Sequence, residues 1–180
     1  EFANTGASRP TSNLYNWQMY RGKTLTDLCD GVFTIDVQLK MNDDAAAGCA
    51  IFAAGLTASH TGFMLNRVAS TYELRFRIFD ADGTSACDIT TTNTLDNSNG
   101  WVNVRIRGNG STVSITFNGT TTSGSVTPFT PPSTGLSHEV FIGYDQNGVP
   151  FRGYIGNFWI FNRYVSDATL TALETLTTTT

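Results

Sequence analysis

The chain is predicted to be an all-β domain of antiparallel strands that ends in one short helix. Three observations lead there. Charged residues make up 14% of the chain and aromatic residues 12%, with many Thr, Ser, Asn and Gly, a balance that suits short strands and turns better than long helices. Several segments alternate apolar and polar residues at the two-residue period of a half-buried strand. Helical spacing is clearest near the end, where Leu170, Leu173 and Leu176 follow Ser166, a residue type that caps helix N-termini.

The elements follow in order. Residues 1–14 are polar and aperiodic around Pro10 and read as an extended N-terminal arm. Residues 15–176 read as the domain, and 177–180 as a Thr-rich tail or the start of a linker. In the first strand Phe33, Ile35, Val37, Leu39 and Met41 alternate with Thr34, Asp36, Gln38 and Lys40, so one face is core and the other wet. After the loop at Asn42, Asp43 and Asp44 come an apolar strand from Cys49 to Ala54 and another from Gly62 to Val68. From Tyr72 to Phe79, Leu74, Phe76 and Ile78 alternate with Arg75 and Arg77. Trp101 opens a hairpin in which Val102, Val104 and Ile106 face the core with Val113, Ile115 and Phe117 about an Asn109-Gly110 turn. Asn118-Gly119 ends its second arm, and the Thr/Ser/Gly/Pro segment up to Ser137 is expected to be a surface crossing between sheets. Glu139 to Tyr144 and Phe151 to Asn162 complete the strands. In the last one Phe158 and Ile160 share one face and Asn157, Trp159 and Phe161 the other, so both faces carry apolar bulk.

At 180 residues the chain accommodates one domain with a sizeable core. A net charge of −4 without any basic run removes the electrostatic basis for binding nucleic acid. No apolar stretch approaches the length of about eighteen residues that a membrane helix needs, so no membrane insertion is expected. Cys29, Cys49 and Cys87 permit at most one bridge, and none of their spacings forms a Cys-x-x-Cys pair. One disulfide and three small buried hydrophobes are both open readings.

No catalytic array is visible. Asp80 and Asp82 flank Ala81 beside Gly83, with no glutamate following, and read as a solvated turn rather than a carboxylate pair for glycoside hydrolysis. His60 and His138 lie outside any nucleophile motif. A non-enzyme is expected.

Three segments carry a family resemblance: the opening Phe33-to-Lys40 strand, Trp101-Val-Asn-Val with Gly110-to-Gly119, and Gly153-Tyr-Ile-Gly-Asn-Phe-Trp-Ile-Phe-Asn-Arg-Tyr-Val-Ser166. Together they resemble the laminin-G-like, concanavalin A-like lectin and glucanase superfamily over most of residues 31–173. The resemblance implies a two-sheet antiparallel jelly-roll sandwich. It also implies a non-catalytic recognition module, extracellular or on a cell or virion surface, that binds a glycan or protein receptor for attachment. Two alternatives are a self-associating fibre, shell or decoration domain, which as a homo-oligomer would bury its surface aromatics, and an accessory carbohydrate-binding domain of a glycan-processing enzyme.

Sugar recognition needs flat aromatics for pyranose C–H faces and planar polar groups for hydroxyls. Trp17, Tyr20, Tyr144, Gln146, Asn157, Trp159 and Phe161 are the candidates by residue type. Members of the resembled family often hold calcium in rim loops, and Asp43, Asp44, Asp145 and Asn147 are the oxygen donors such an ion would use here. Asn109-Gly-Ser111 and Asn118-Gly-Thr120 match the glycosylation acceptor pattern, although both asparagines already serve turns.

Overall fold

A computed structural model describes residues 2–3, 16–18, 31–42, 48–54, 62–80, 82–128, 139–143 and 150–178. Their strands, in chain order, are β1 (Phe2–Ala3), β2 (Asn16–Gln18), β3 (Val32–Met41), β4 (Cys49–Ala54), β5 (Gly62–Arg67) and β6 (Glu73–Phe79). Then come β7 (Ser85–Thr94), β8 (Val102–Asn109), β9 (Thr112–Phe117), β10 (Thr120–Ser125), β11 (Glu139–Ile142) and β12 (Gly153–Phe161), followed by helix α1 (Asp167–Thr178). They build two six-stranded sheets, ordered β1-β12-β3-β8-β9-β10 and β2-β11-β4-β5-β6-β7. Neighbouring strands run antiparallel, as the jelly-roll sandwich requires.

The alternation read from the sequence sets the inner faces. Phe33, Ile35, Val37, Leu39 and Met41 of β3, Val102, Val104 and Ile106 of β8, and Val113, Ile115 and Phe117 of β9 belong to one buried cluster. Phe158 and Ile160 pack against that cluster from β12. Aromatic edges join the layers: Phe33 meets Phe63 of β5 at 5.5 Å between centroids, and Phe52 of β4 meets Phe158 at 5.5 Å. Such edge-on pairs add to the burial of the rings themselves.

Two strands carry too little apolar sequence to be read from pattern. β7 buries Cys87 and Ile89, but its Thr91 is buried as well and satisfies the ladder by accepting a hydrogen bond from the Leu74 amide at 3.0 Å. β10 occupies the part of the expected surface crossing nearest Asn118-Gly119, which corrects that expectation for residues 120–125. Asn118 at φ 48° and Gly119 at φ 75° form the two-residue turn, and Thr120 pairs with Phe117. Two central residues at positive φ match the twist of paired strands, so the asparagine–glycine pair continues the meander instead of ending it.

Cys49 and Cys87 are buried free thiols, so no bridge joins them; Cys29 lies outside the described residues. Burial pushes the Cys87 thiol up to about 11 and raises Cys49 too.

Candidate functional site

The outer face of the β3 sheet is where chemistry-bearing side chains collect. Because β3 turns its odd-numbered residues inward, Thr34, Asp36, Gln38 and Lys40 point away from the core. Antiparallel register sets their neighbours. Thr34 lies between Phe161 and Arg107, Asp36 between Trp159 and Arg105, Gln38 beside Asn103, and Lys40 beside Tyr154. Leu39 pairs with Val102, which brings Trp101 to the other flank of Lys40.

Helix α1 closes half of this face. Ser166 caps it, its Oγ accepting from the Thr169 amide at 3.3 Å, as the sequence predicts. The preceding segment is pinned to the sheet by Thr34, whose buried hydroxyl donates to the Arg163 carbonyl and accepts from the Val165 amide, both at 2.9 Å. Asp167, Leu170 and Glu174 form one helical stripe by their spacing. Leu170 is fully buried, and the two acids reach the sheet.

Arg105 is the hub of that contact. Its Nε donates to Asp36 at 3.0 Å, Nη1 to Asp167 at 3.0 Å and Nη2 to Glu174 at 2.7 Å. Arg107 Nη2 shares Asp167 at 2.6 Å and stacks over Tyr164 at 5.3 Å. Burial works against the Arg105 charge, yet hydrogen bonds to Glu174 and Asp36 together hold its pKa above the usual guanidinium value. Burial pushes the Asp36 carboxyl up, against the Arg105 hydrogen bond. The Arg107 hydrogen bond holds the exposed Asp167 carboxyl down. This half of the face is a closed ionic lock.

The other half is open. Trp101 remains 41% exposed, and its ring meets Tyr154 at 6.3 Å between centroids with a 49° tilt. Gly156 shapes the site. A Cβ added there would come 2.6 Å from Gln38 Oε1 and 3.2 Å from Trp101 Cζ3, so a side chain at this position would push the Gln38 amide aside and crowd the indole that leans over β12. A bulge falls at the same place, two residues between Ile155 and Phe158 answering one on β3. The side chains of Gln38 and Lys40 are half-buried and make no hydrogen bond or ion pair among the described residues. Two angled aromatic faces edged by an uncommitted amide and an uncommitted ammonium form a shallow platform. It has the groups to hold a flat polar ring by stacking and hydrogen bonds.

Of the residues singled out by type, Trp159 and Phe161 are half-buried on the outer face beside Asp36 and Thr34, and Asn157 sits in the bulge next to the platform. Trp17 belongs to β2, opposite Val140 and so on the other sheet. Tyr20, Tyr144 and Gln146, and the proposed calcium donors Asp43, Asp44, Asp145 and Asn147, lie outside the described residues, as do His60 and His138. Among the described residues no group of three or more His, Cys, Asp or Glu could hold a metal ion, and no helix is long and apolar enough to cross a membrane. Asp82 caps its own turn, accepting from the amide and hydroxyl of Thr84 at 2.9 and 2.8 Å.

Sequence reasoning missed Trp101, Tyr154 and Gln38. The signal was there for Trp101: a tryptophan directly before the inward Val102, and therefore at outward parity, has no core to fill.

The outer face of the β2 sheet differs. Arg75 gives both its Nε and Nη2 to Asp88, while Arg77 bonds the Met64 sulfur at 3.0 Å and Asn66 Oδ1 at 3.3 Å. Burial lowers the Arg77 pKa.

Two antiparallel sheets with a C-terminal helix laid over one of them define a lectin-type jelly roll. A laminin G family model, described as the concanavalin A-like lectin/glucanases superfamily, matches residues 21–171, and the chain belongs to that superfamily. Solved structures share the fold at low identity. The binding domain of botulinum neurotoxin serotype D superposes with a TM-score of 0.62 at 15% identity, covering 87% of this chain and 38% of that one. The receptor binding domain of the botulinum neurotoxin C/D mosaic gives 0.59 at 15%, covering 83% and 37%. The serotype C1 binding domain gives 0.56 at 17%, covering 79% and 36%. The chain thus spans well under half the length of these domains. No curated protein matches it.

Proposed function

We propose that this domain is a non-catalytic recognition module, displayed outside a cell or on a virion, that holds a receptor glycan against the open half of the β3 sheet. The observation that carries the reading is the exposed Trp101 ring, angled to Tyr154 over Gly156. An exposed indole paired with a second ring at a sheet face, edged by polar groups without partners among the described residues, is a surface on which a flat ligand can stack. The superfamily and the receptor-binding role named for its structural neighbours support the same reading. By residue type, Asp43, Asp44, Asp145 and Asn147 are added as candidate calcium ligands.

A glycan array probed with wild-type protein and with Trp101→Ala, each with and without chelator, tests this. The reading expects specific hits that weaken about tenfold or more in the variant, the equivalent of ~1.4 kcal/mol. Hits insensitive to Trp101→Ala, or none at all, overturn it. Weakening by chelator supports the calcium ligands, and indifference removes them.

A further inference from the structure

Building on that reading, we infer that the platform selects a sugar acid, with Lys40 holding the carboxylate of a pyranose stacked on Trp101 and Tyr154. The charge distribution carries this. Register places Lys40 between Tyr154 on β12 and Trp101 ahead of β8, on the outer face. Its side chain is half-buried and bonds nothing among the described residues. Among the described residues, the acids that share the face are committed elsewhere: Asp36 to Arg105, Glu174 to Arg105 and Asn103, and Asp167 to Arg105 and Arg107.

In a chain of net charge −4, the open half of this face thus presents an ammonium with no counter-charge among the described residues. A lysine stem laid along aromatic neighbours keeps its charge at their rim. The carboxylate of a uronic-type acid stands at the edge of its pyranose, so stacking of the ring brings it to that rim. Gln38, with no bond of its own among the described residues, is placed to serve a ring hydroxyl. A single ammonium suits one carboxylate and lacks the fork geometry that favours bidentate groups.

The test compares two immobilised oligosaccharides that differ only in a terminal glucuronate or glucose, with an acidic Glu-rich peptide as a third surface. Wild-type protein is expected to bind the glucuronate form about three- to fivefold more tightly, the range of a solvent-accessible ion pair. Raising the ionic strength about tenfold should erase the preference. Lys40→Gln should bind both sugars equally, at the wild-type affinity for glucose, and Trp101→Ala should lose both. Equal binding by wild type, a preference retained in Lys40→Gln, or tighter binding to the peptide overturns the sugar-acid inference and leaves the glycan reading standing. Failure of wild type to bind either sugar overturns the sugar-acid inference, and a glycan array without hits overturns the glycan reading as well. Far-ultraviolet circular dichroism and melting of each variant confirm the fold, and Lys40→Arg, which keeps the charge, should restore the preference.

Discussion

Removing the Arg105 charge should be among the most damaging single changes on the outer face of the β3 sheet. The Asp36 side chain is only 2% exposed, against 66% for Asp167, so the two carboxylates stand to lose different things. Without the guanidinium, Asp167 keeps Arg107 and water, whereas Asp36 becomes a buried charge with no hydrogen-bonded cation and only the more distant Arg107 to oppose it. Breaking a buried pair from one side costs about 3–5 kcal/mol. For a domain of this size each kcal/mol is worth about 2–4 °C, so Arg105→Gln should melt about 6–20 °C lower. Replacing both partners, as Asp36→Val with Arg105→Met, should recover most of that loss, because the buried Asp36 charge is then not stranded and the partly exposed Glu174 keeps its bond from Asn103.

The pH dependence has a definite sign. Burial already raises the Asp36 carboxyl above its unfolded value of 3.8. Losing Arg105 removes the opposing hydrogen bond and raises it further. A carboxyl whose folded pKa lies above its unfolded one favours folding below the unfolded pKa and loses that contribution as pH rises through the folded pKa. The gap between wild type and Arg105→Gln should therefore be widest at neutral pH and narrow towards about pH 4. Chemical denaturation across that range measures it. A gap below 1 kcal/mol at neutral pH, or one that widens on acidification, refutes the reasoning.

Further consequences follow from other residues. Thr34→Val strands the Val165 amide and the Arg163 carbonyl, and should cost about 1–3 kcal/mol in urea unfolding, the range for a buried group left unsatisfied; a neutral result would mean that the hydroxyl does not anchor the segment. Ser166→Ala should cost about 1 kcal/mol through loss of the helix cap, read by the same assay. Cys49 and Cys87 should resist alkylation in native protein at neutral pH and label fully in denaturant, as followed by peptide mass spectrometry; rapid native labelling would contradict their burial. Gly156→Ala should fold but displace the Trp101 ring, which a changed indole fluorescence maximum and weakened glycan binding would report together.

The sheets were legible wherever one face is continuously apolar. Phe33 to Met41 and Val102 to Phe117 alternate without interruption, and the structure buries each odd or even set as the period demands. β10 was not legible because Thr120–Ser125 has no apolar residue; at the sheet edge it is held by a ladder and by Asn93, whose amide donates to the Thr120 hydroxyl at 3.1 Å. β7 hid for a related reason, since Thr91 fills a buried place by hydrogen bonding. The site was legible only in part. Residue type led to Trp159 and Phe161, which sit beside the segment that α1 closes. The platform depends on non-local facts: which residues β12 and β8 bring to either side of Lys40, and where a glycine lets an indole lie down. Parity could have marked Trp101, but nothing local joins it to Tyr154.

Residue-resolved chemical-shift mapping tests the central claim most directly. On titration with a glycan identified by array, perturbations should concentrate at the Trp101 indole N–H, Tyr154, Gln38, Lys40 and Gly156, leaving Arg75, Arg77 and Asp88 on the opposite sheet unmoved. Perturbations centred on that opposite sheet, with the Trp101 indole signal unchanged at saturation, would contradict the account.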